Sequence, residues 1–232
     1  MKTFPIGGVH PSENKLSGAK PIEVLPLPDA VAIPLAQHIG APAAAKVAKG
    51  DKVLTGQLIA EASSFMSANI HSPISGTVTA VDAVPNGQGL RQVMITIKRD
   101  GDEWAPEIDL TPDLVRECAL EPKEILERIK AAGIVGAGGA GFPTHVKLDA
   151  KAECLIVNAA ECEPLIETDK YLCRTCAPQI IQAVLAVKEH LGAGRAVIAL
   201  KGKYEQEIGA LSEAIRATAA PEVGGQAVLG RQ

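Results

Sequence analysis

An α+β chain of two domains is predicted: a small all-β unit followed by an α/β unit. Three observations predict it. From about 28 to 104, apolar residues recur at every second position between Gly-Asp and Ser-Gly turns, with no helical period. Beyond a polar link at 100–113 the apolar spacing lengthens to that of amphipathic helices. Those helices alternate with short, wholly apolar runs, the pattern of buried parallel strands. At 232 residues and 47% hydrophobic, the chain has material for two cores.

Residues 1–27 form an arm rich in Gly, Pro and turn residues, in which His10 beside Pro11 is a packing or capping residue. In the region 28–104, Val31, Ile33 and Leu35 alternate, and Lys49-Gly50-Asp51 turns into Val53 and Leu54. Ile70 to Val78 makes a strand, a turn and a second strand, and Val93, Ile95 and Ile97 close the unit. The α/β region takes in 113–232. Pro122 opens a helix whose Ile125, Ile129 and Ala132 share a face, with Gly133 as its stop. Leu155-Ile156-Val157 is a strand leading into Asn158. A helix through Ile180, Val184 and Leu191 ends at Gly192. Val197 to Leu200 is a second strand, and Tyr204, Ile208, Leu211 and Ile215 mark another helix. A third strand falls near Ala227 to Leu229, so the sheet reads as incomplete.

Composition excludes several function classes. A formal charge of −4 and 3% aromatics do not suit a nucleic-acid binder, which needs a basic surface and stacking platforms. No apolar run reaches membrane-spanning length, so membrane association is expected only through partners. The five cysteines are read as reduced thiols. Cys173 and Cys176 have the spacing of a metal or redox pair, but one such pair cannot hold a cluster, and no metal ligand is assigned.

The chemistry is concentrated in two segments. Gly136, Gly138, Gly139 and Gly141 put four glycines into six positions, which lets backbone amides approach a bulky anion. Phe142 follows, and Lys147 supplies a cation for phosphate. The loop comes after a helix rather than a strand, which disfavours the usual dinucleotide strand–loop–helix site. The second segment, Asn158 to Pro164, offers an amide and the carboxylates of Glu161 and Glu163, with Glu167 and Asp169 beyond. A carboxylate about 4 Å from a phosphate costs several kcal/mol even at an effective dielectric of about 20. Phosphate is therefore expected on the glycine amides and Lys147, and sugar or ribityl hydroxyls on the carboxylates. The two segments read as one nucleotide or flavin site.

The β region resembles the barrel-sandwich fold of biotinyl and lipoyl carrier domains through "KGDKVLTGQ" and "IHSPISGTV". The carrier lysine would fall at about Phe65, so no swinging arm is expected and the domain is read as a scaffold. "GAGGAGFPTHVKL" and "NAAECEPLIETD" resemble the flavin-site signature shared by the NADH-binding subunit of respiratory complex I and by the RnfC component of Rnf-type electron transport complexes. "FPIGGVHPSENKLSGAKP", "IPLAQHIGAPA" and the carrier-like turns are similar to the Rnf component.

That resemblance implies an α/β domain that binds FMN and NAD(H). Gly136, Gly138, Gly139 and Gly141 would cradle FMN, Phe142 would stack on the nicotinamide nucleotide, and Lys147 would meet the FMN phosphate. Asn158 would bond the flavin, Glu161 and Glu163 would face flavin or NADH hydroxyls, and Asp169 is a further carry-over. Ala137 stands where complex I relatives carry arginine, and Ala160 where they carry an acidic residue. The implied activity is hydride exchange between NAD(H) and FMN in a ferredoxin:NAD oxidoreductase, with no side chain assigned as catalytic. Electrons would pass to [4Fe-4S] clusters in a carboxy-terminal part that these residues lack, so the chain is expected to be an inactive amino-terminal fragment. The implied place is peripheral, on the cytoplasmic side of the inner membrane, held by other Rnf subunits and meeting ferredoxin indirectly. A docking module without cofactor and a stand-alone flavin reductase are the competing expectations.

Overall fold

The computed structural model describes residues 12–18, 20–111, 118–161 and 163–218, and the backbone of 223–228. His10, Cys162 and Leu229 lie outside them. Two compact units emerge, Leu25–Ala150 and a second that joins Met1–Val24 to Lys151–Gln232.

Among the described residues the first unit holds seven strands: β1 (Ala30–Pro34), β2 (Ala44–Ala45), β3 (Lys52–Val53), β4 (Leu58–Glu61), β5 (Ile70–His71), β6 (Ser75–Pro85) and β7 (Arg91–Gly101). They form two antiparallel sheets, β1-β7-β6-β3 and β2-β4-β5. Val53, Val78, Ile95 and Ile97 of one sheet share a buried cluster with Ile59, Ala60 and Ile70 of the other. Strand alternation creates this core: on β7, Ile95 and Ile97 point inward, and Val78 pairs with Ile97 across the β6–β7 ladder. The β6–β7 turn is set by the Asn86 Oδ1, which accepts the Gln88 and Leu90 amides.

Helix α1 (Pro122–Ala131) and the short helix α2 (Thr144–Leu148) complete this unit and bracket the glycine loop. Pro122 sits in the first turn of α1, where its missing N–H costs nothing. Gly133, at φ +68°, ends the helix as its composition predicts. A Cβ there would stand 2.3 Å from the Asn69 carbonyl oxygen, so the helix end lies directly on the β scaffold.

In the second unit, β8 (Cys154–Asn158), β9 (Arg195–Lys201) and β10 (Val223–Val228) form a parallel sheet in the order β10-β9-β8. Helices α3 (Thr168–Thr175), α4 (Ala177–His190) and α5 (Glu205–Ala217) supply Cys173, Ile181, Val184, Leu211 and Ala214 to a core against Ala196, Ile198 and Leu200 of β9. The third strand runs from Val223, ahead of the segment the sequence marks. Helix α3 is an addition: its first turn falls in the acidic stretch read as loop. Residues 12–18 and 20–27 form no helix or strand, and residues 12–18 pack on this α/β unit.

Candidate functional site

The glycine loop is pinched off at its base. Val135 and Pro143 bridge antiparallel, the Gly136 amide donates to the Phe142 carbonyl at 2.9 Å, and the Thr144 amide donates to that of Ile134 at 3.0 Å. Ala137 to Ala140 project from this closed neck and are exposed. Among the described residues, the amides of Ala137 through Phe142 donate to no backbone or side-chain acceptor. Unpaired amides on a projecting loop are the donors an oxyanion needs.

The four glycines divide by role. A Cβ built on Gly138 or Gly139 would meet nothing within 4 Å, so their lack of side chain relieves no crowding inside the protein. Gly139 has φ +140°, open to glycine and costly for other residues. Gly141 differs: it is buried at φ +62°, and its Cβ would lie 2.8 Å from the Gln37 carbonyl oxygen and 3.0 Å from the His38 Cα. The Ile39 amide also donates to the Ala140 carbonyl at 3.0 Å. Gly141 therefore seats the loop on the β scaffold, while Gly138 and Gly139 keep the outward face clear. Gly136 serves the neck.

Phe142 is half-buried, and the exposed Lys147 holds its Nζ 5.6 Å from the Phe142 ring centroid. One helical turn thus places an ammonium group beside the loop. His145, on the same helix, is buried, and among the described residues its Nε2 has no hydrogen-bond partner. Burial, and then the charge of Lys130, pull His145 below the ordinary histidine range, partly offset by a hydrogen bond with the Phe65 backbone. The sequence reading did not single out His145; its signal was a histidine between Thr144 and Val146 at the loop's exit.

The other predicted residues belong to the α/β unit. Asn158 ends β8, exposed, with its Oδ1 accepting the Ala160 amide at 3.1 Å. That position, beyond the carboxyl end of a parallel strand, is where open α/β sheets receive ligands. Glu161 has another employment. Its carboxylate accepts the amides of Asp169 (2.9 Å) and Lys170 (3.1 Å), so it caps α3 from outside the helix. Glu167 pairs with Lys170 at 2.6 Å. Glu163 and Asp169 are exposed. Burial, and then the neighbouring Glu161, raise the Asp169 carboxyl, while Lys15 offsets part of that shift. Around the end of β9, the Tyr204 ring meets Lys170 at 4.9 Å, Lys201 at 5.6 Å and Lys203 at 6.0 Å.

Cys173 lies in the helix core, and burial raises its thiol first of all. Among the described residues, no group of three His, Cys, Asp or Glu side chains could hold a metal ion, and no helix is long and apolar enough to cross a membrane. The residues present fit FMN in two respects. In the first unit, open amides beside Lys147 suit a phosphate; in the second, taken by itself, the exposed carboxylates of Glu163 and Asp169 suit hydroxyl donors.

Comparison with known proteins gives two family matches. Residues 2–102 match the RnfC barrel sandwich hybrid domain, and residues 129–228 match the Nuo51 FMN-binding domain. The chain is 42% identical over 226 residues to the C subunit of the ion-translocating oxidoreductase complex of Rhodobacter capsulatus, covering 94% of this chain and 43% of that protein. It is 40% identical over 230 residues to the C subunit of the proton-translocating ferredoxin:NAD(+) oxidoreductase complex of Clostridium ljungdahlii, covering 97% of this chain and 50% of that one. The corresponding subunit of the Na(+)-translocating complex of Acetobacterium woodii is 36% identical, with 48% of its length covered. The chain therefore spans about half the length of these relatives. A solved NAD+-reducing [NiFe]-hydrogenase chain aligns at TM-score 0.41 and 28% identity, over 47% of this chain and 21% of that one.

Proposed function

From the chain's membership of the RnfC family of ion-translocating oxidoreductase complexes, we propose that it binds FMN through the glycine loop and presents the flavin to NADH. The observation that carries this reading is that the amides from Ala137 to Ala140 find no acceptor among the described residues, on a face where a Cβ at Gly138 or Gly139 would meet none of them within 4 Å. Those amides would hold the phosphate, with the Lys147 ammonium balancing its charge. Within the α/β unit by itself, Asn158, Glu163 and Asp169 would accept or orient nucleotide hydroxyls. Glu161 would act at one remove, by fixing the start of α3. Phe142 would offer a ring face to the dinucleotide. Bound FMN would supply the hydride chemistry and its division into single electrons.

The same proposal covers the whole protein. Region 28–104 is the barrel-sandwich scaffold and region 113–232 the flavin-binding part. The [4Fe-4S] clusters that would take the electrons onward are proposed to lie outside the residues of this chain. Other members of the complex hold the protein peripherally at the cytoplasmic face of the membrane, and ferredoxin is reached through them.

Titration with FMN under flavin-fluorescence detection tests the reading, followed by anaerobic addition of NADH to the loaded protein. Saturable one-to-one quenching and bleaching of the flavin by NADH are expected. A protein indifferent to FMN contradicts the reading and favours a docking module.

A further inference from the structure

The loop that follows β8 is bent in a way its own sequence does not favour. Glu161 has φ +28° and Leu165 φ +69°, left-handed values that non-glycine residues adopt only when the surroundings hold them there. Strain of this kind persists where neighbouring contacts fix it, so the contacts that fix it matter.

Glu161 is held by the amides of Asp169 and Lys170, and around Leu165 the contacts come from the arm. The Leu165 amide donates to the Glu13 carbonyl at 2.8 Å. The Lys15 ammonium donates to the carbonyl of Glu163 at 2.8 Å and to that of Ile166. It thereby ties together both sides of the turn that contains Leu165. The Glu13 carboxylate is anchored in turn, by Lys201 at 2.6 Å and Lys203 at 2.8 Å at the end of β9. Gly18 then passes so close to Glu167 that a Cβ would stand 1.9 Å from the carboxylate Oε2. A segment nearly 150 residues away in sequence thus makes three hydrogen bonds to the backbone of one short loop.

We infer that Glu13 and Lys15 form a clasp that holds the turn from Glu163 to Ile166 in its strained conformation, making both of them positioning residues for the flavin nucleotide. This rests on the FMN reading above and deepens it. The arm supplies no group to the ligand; through the Glu163 carbonyl it fixes where the Glu163 residue stands. Lys15 acts on the turn, and Glu13 fastens Lys15's segment to the strand end. The ion pairs reach across sequence without covering the loop's exposed Glu163 side chain.

The test uses Lys15→Met, Lys15→Arg and Glu13→Gln in the chain, measured two ways. Amide hydrogen exchange over 159–170 reads the clasp directly, whether or not flavin is present. Lys15→Met and Glu13→Gln should speed exchange in that loop at least about tenfold while β9 and α4 keep their protection. Flavin fluorescence reads the consequence: Lys15→Met should weaken FMN at least about tenfold, and Lys15→Arg should restore most of the loss. Unchanged exchange in Lys15→Met overturns the clasp outright. Wild-type FMN affinity in Lys15→Met, despite faster exchange, overturns the positioning role alone. Wild-type protein that takes up no FMN overturns the flavin reading and the positioning role with it, and exchange then judges the clasp as a purely structural lock.

Discussion

Replacing Gly138 by valine separates binding from folding at the glycine loop. In the free protein a Cβ at this position meets no atom within 4 Å, and the Gly138 backbone is outside the left-handed region. The substitution should therefore change stability by no more than about 0.5 kcal/mol, the usual range for exposed sites free of special contacts. A phosphate on the loop changes that. Two branched methyl groups would stand between it and the amides of Gly138 and Gly139. Charge-assisted hydrogen bonds contribute about 1.5–3 kcal/mol each, so losing two costs about 3–6 kcal/mol, or about two to four orders of magnitude in affinity. Gly141→Ala should do the reverse. Its φ of +62° and its 2.8 Å approach to the Gln37 carbonyl oxygen make a Cβ costly in the free protein. About 1–3 kcal/mol of stability should be lost from the β unit. Urea unfolding and FMN titration of both variants decide the matter. Wild-type FMN affinity in Gly138→Val, or equal destabilisation by both variants, would refute this division of roles.

Three further outcomes follow from the α/β unit. Glu161→Ala removes the acceptor for the Asp169 and Lys170 amides, and should lower stability by about 1–2 kcal/mol in urea unfolding; no change would mean the cap is idle. Arg174→Met strands the Glu207 carboxylate, 3% exposed and paired at 2.6 Å, and should cost about 3–5 kcal/mol by the same assay. The Lys201 and Lys203 ammonium groups lower Glu13 from 4.5 to about 2, chiefly through hydrogen bonds. Its contribution to stability is therefore complete above pH 4.5 and is lost as pH falls through about 2. Over that window wild type should lose more stability than Glu13→Gln, and parallel pH profiles would contradict the ion pairs.

The all-β and α/β character was legible because period-two alternation and wholly apolar strands depend on burial, which composition records directly. Helix ends were legible where a residue's backbone preference is strong, as at Pro122 and at Gly133 and Gly192, whose φ values are +68° and +63°. Helix α3 was hidden because its first turn, Thr168-Asp169-Lys170, is polar and follows acidic residues that look like solvated loop. The acidity has a cause that only folding reveals: Glu161 caps the helix from eight residues away. Spacing alone gave the four glycines one shared role, whereas the backbone of Gln37 and His38 makes Gly141 a packing position. The arm's charges, Glu13 and Lys15, were visible but carried no sign of their partners, because those partners lie at Lys201, Lys203 and the carbonyls of Glu163 and Ile166.

Amide NMR during an FMN titration tests the phosphate seat most directly. The amide resonances of Ala137, Gly138, Gly139 and Ala140 should move progressively and saturate with the flavin's own fluorescence change, while those of β6 and β7 stay in place. Flavin binding that saturates with these four amides unmoved would contradict the assignment of the glycine loop.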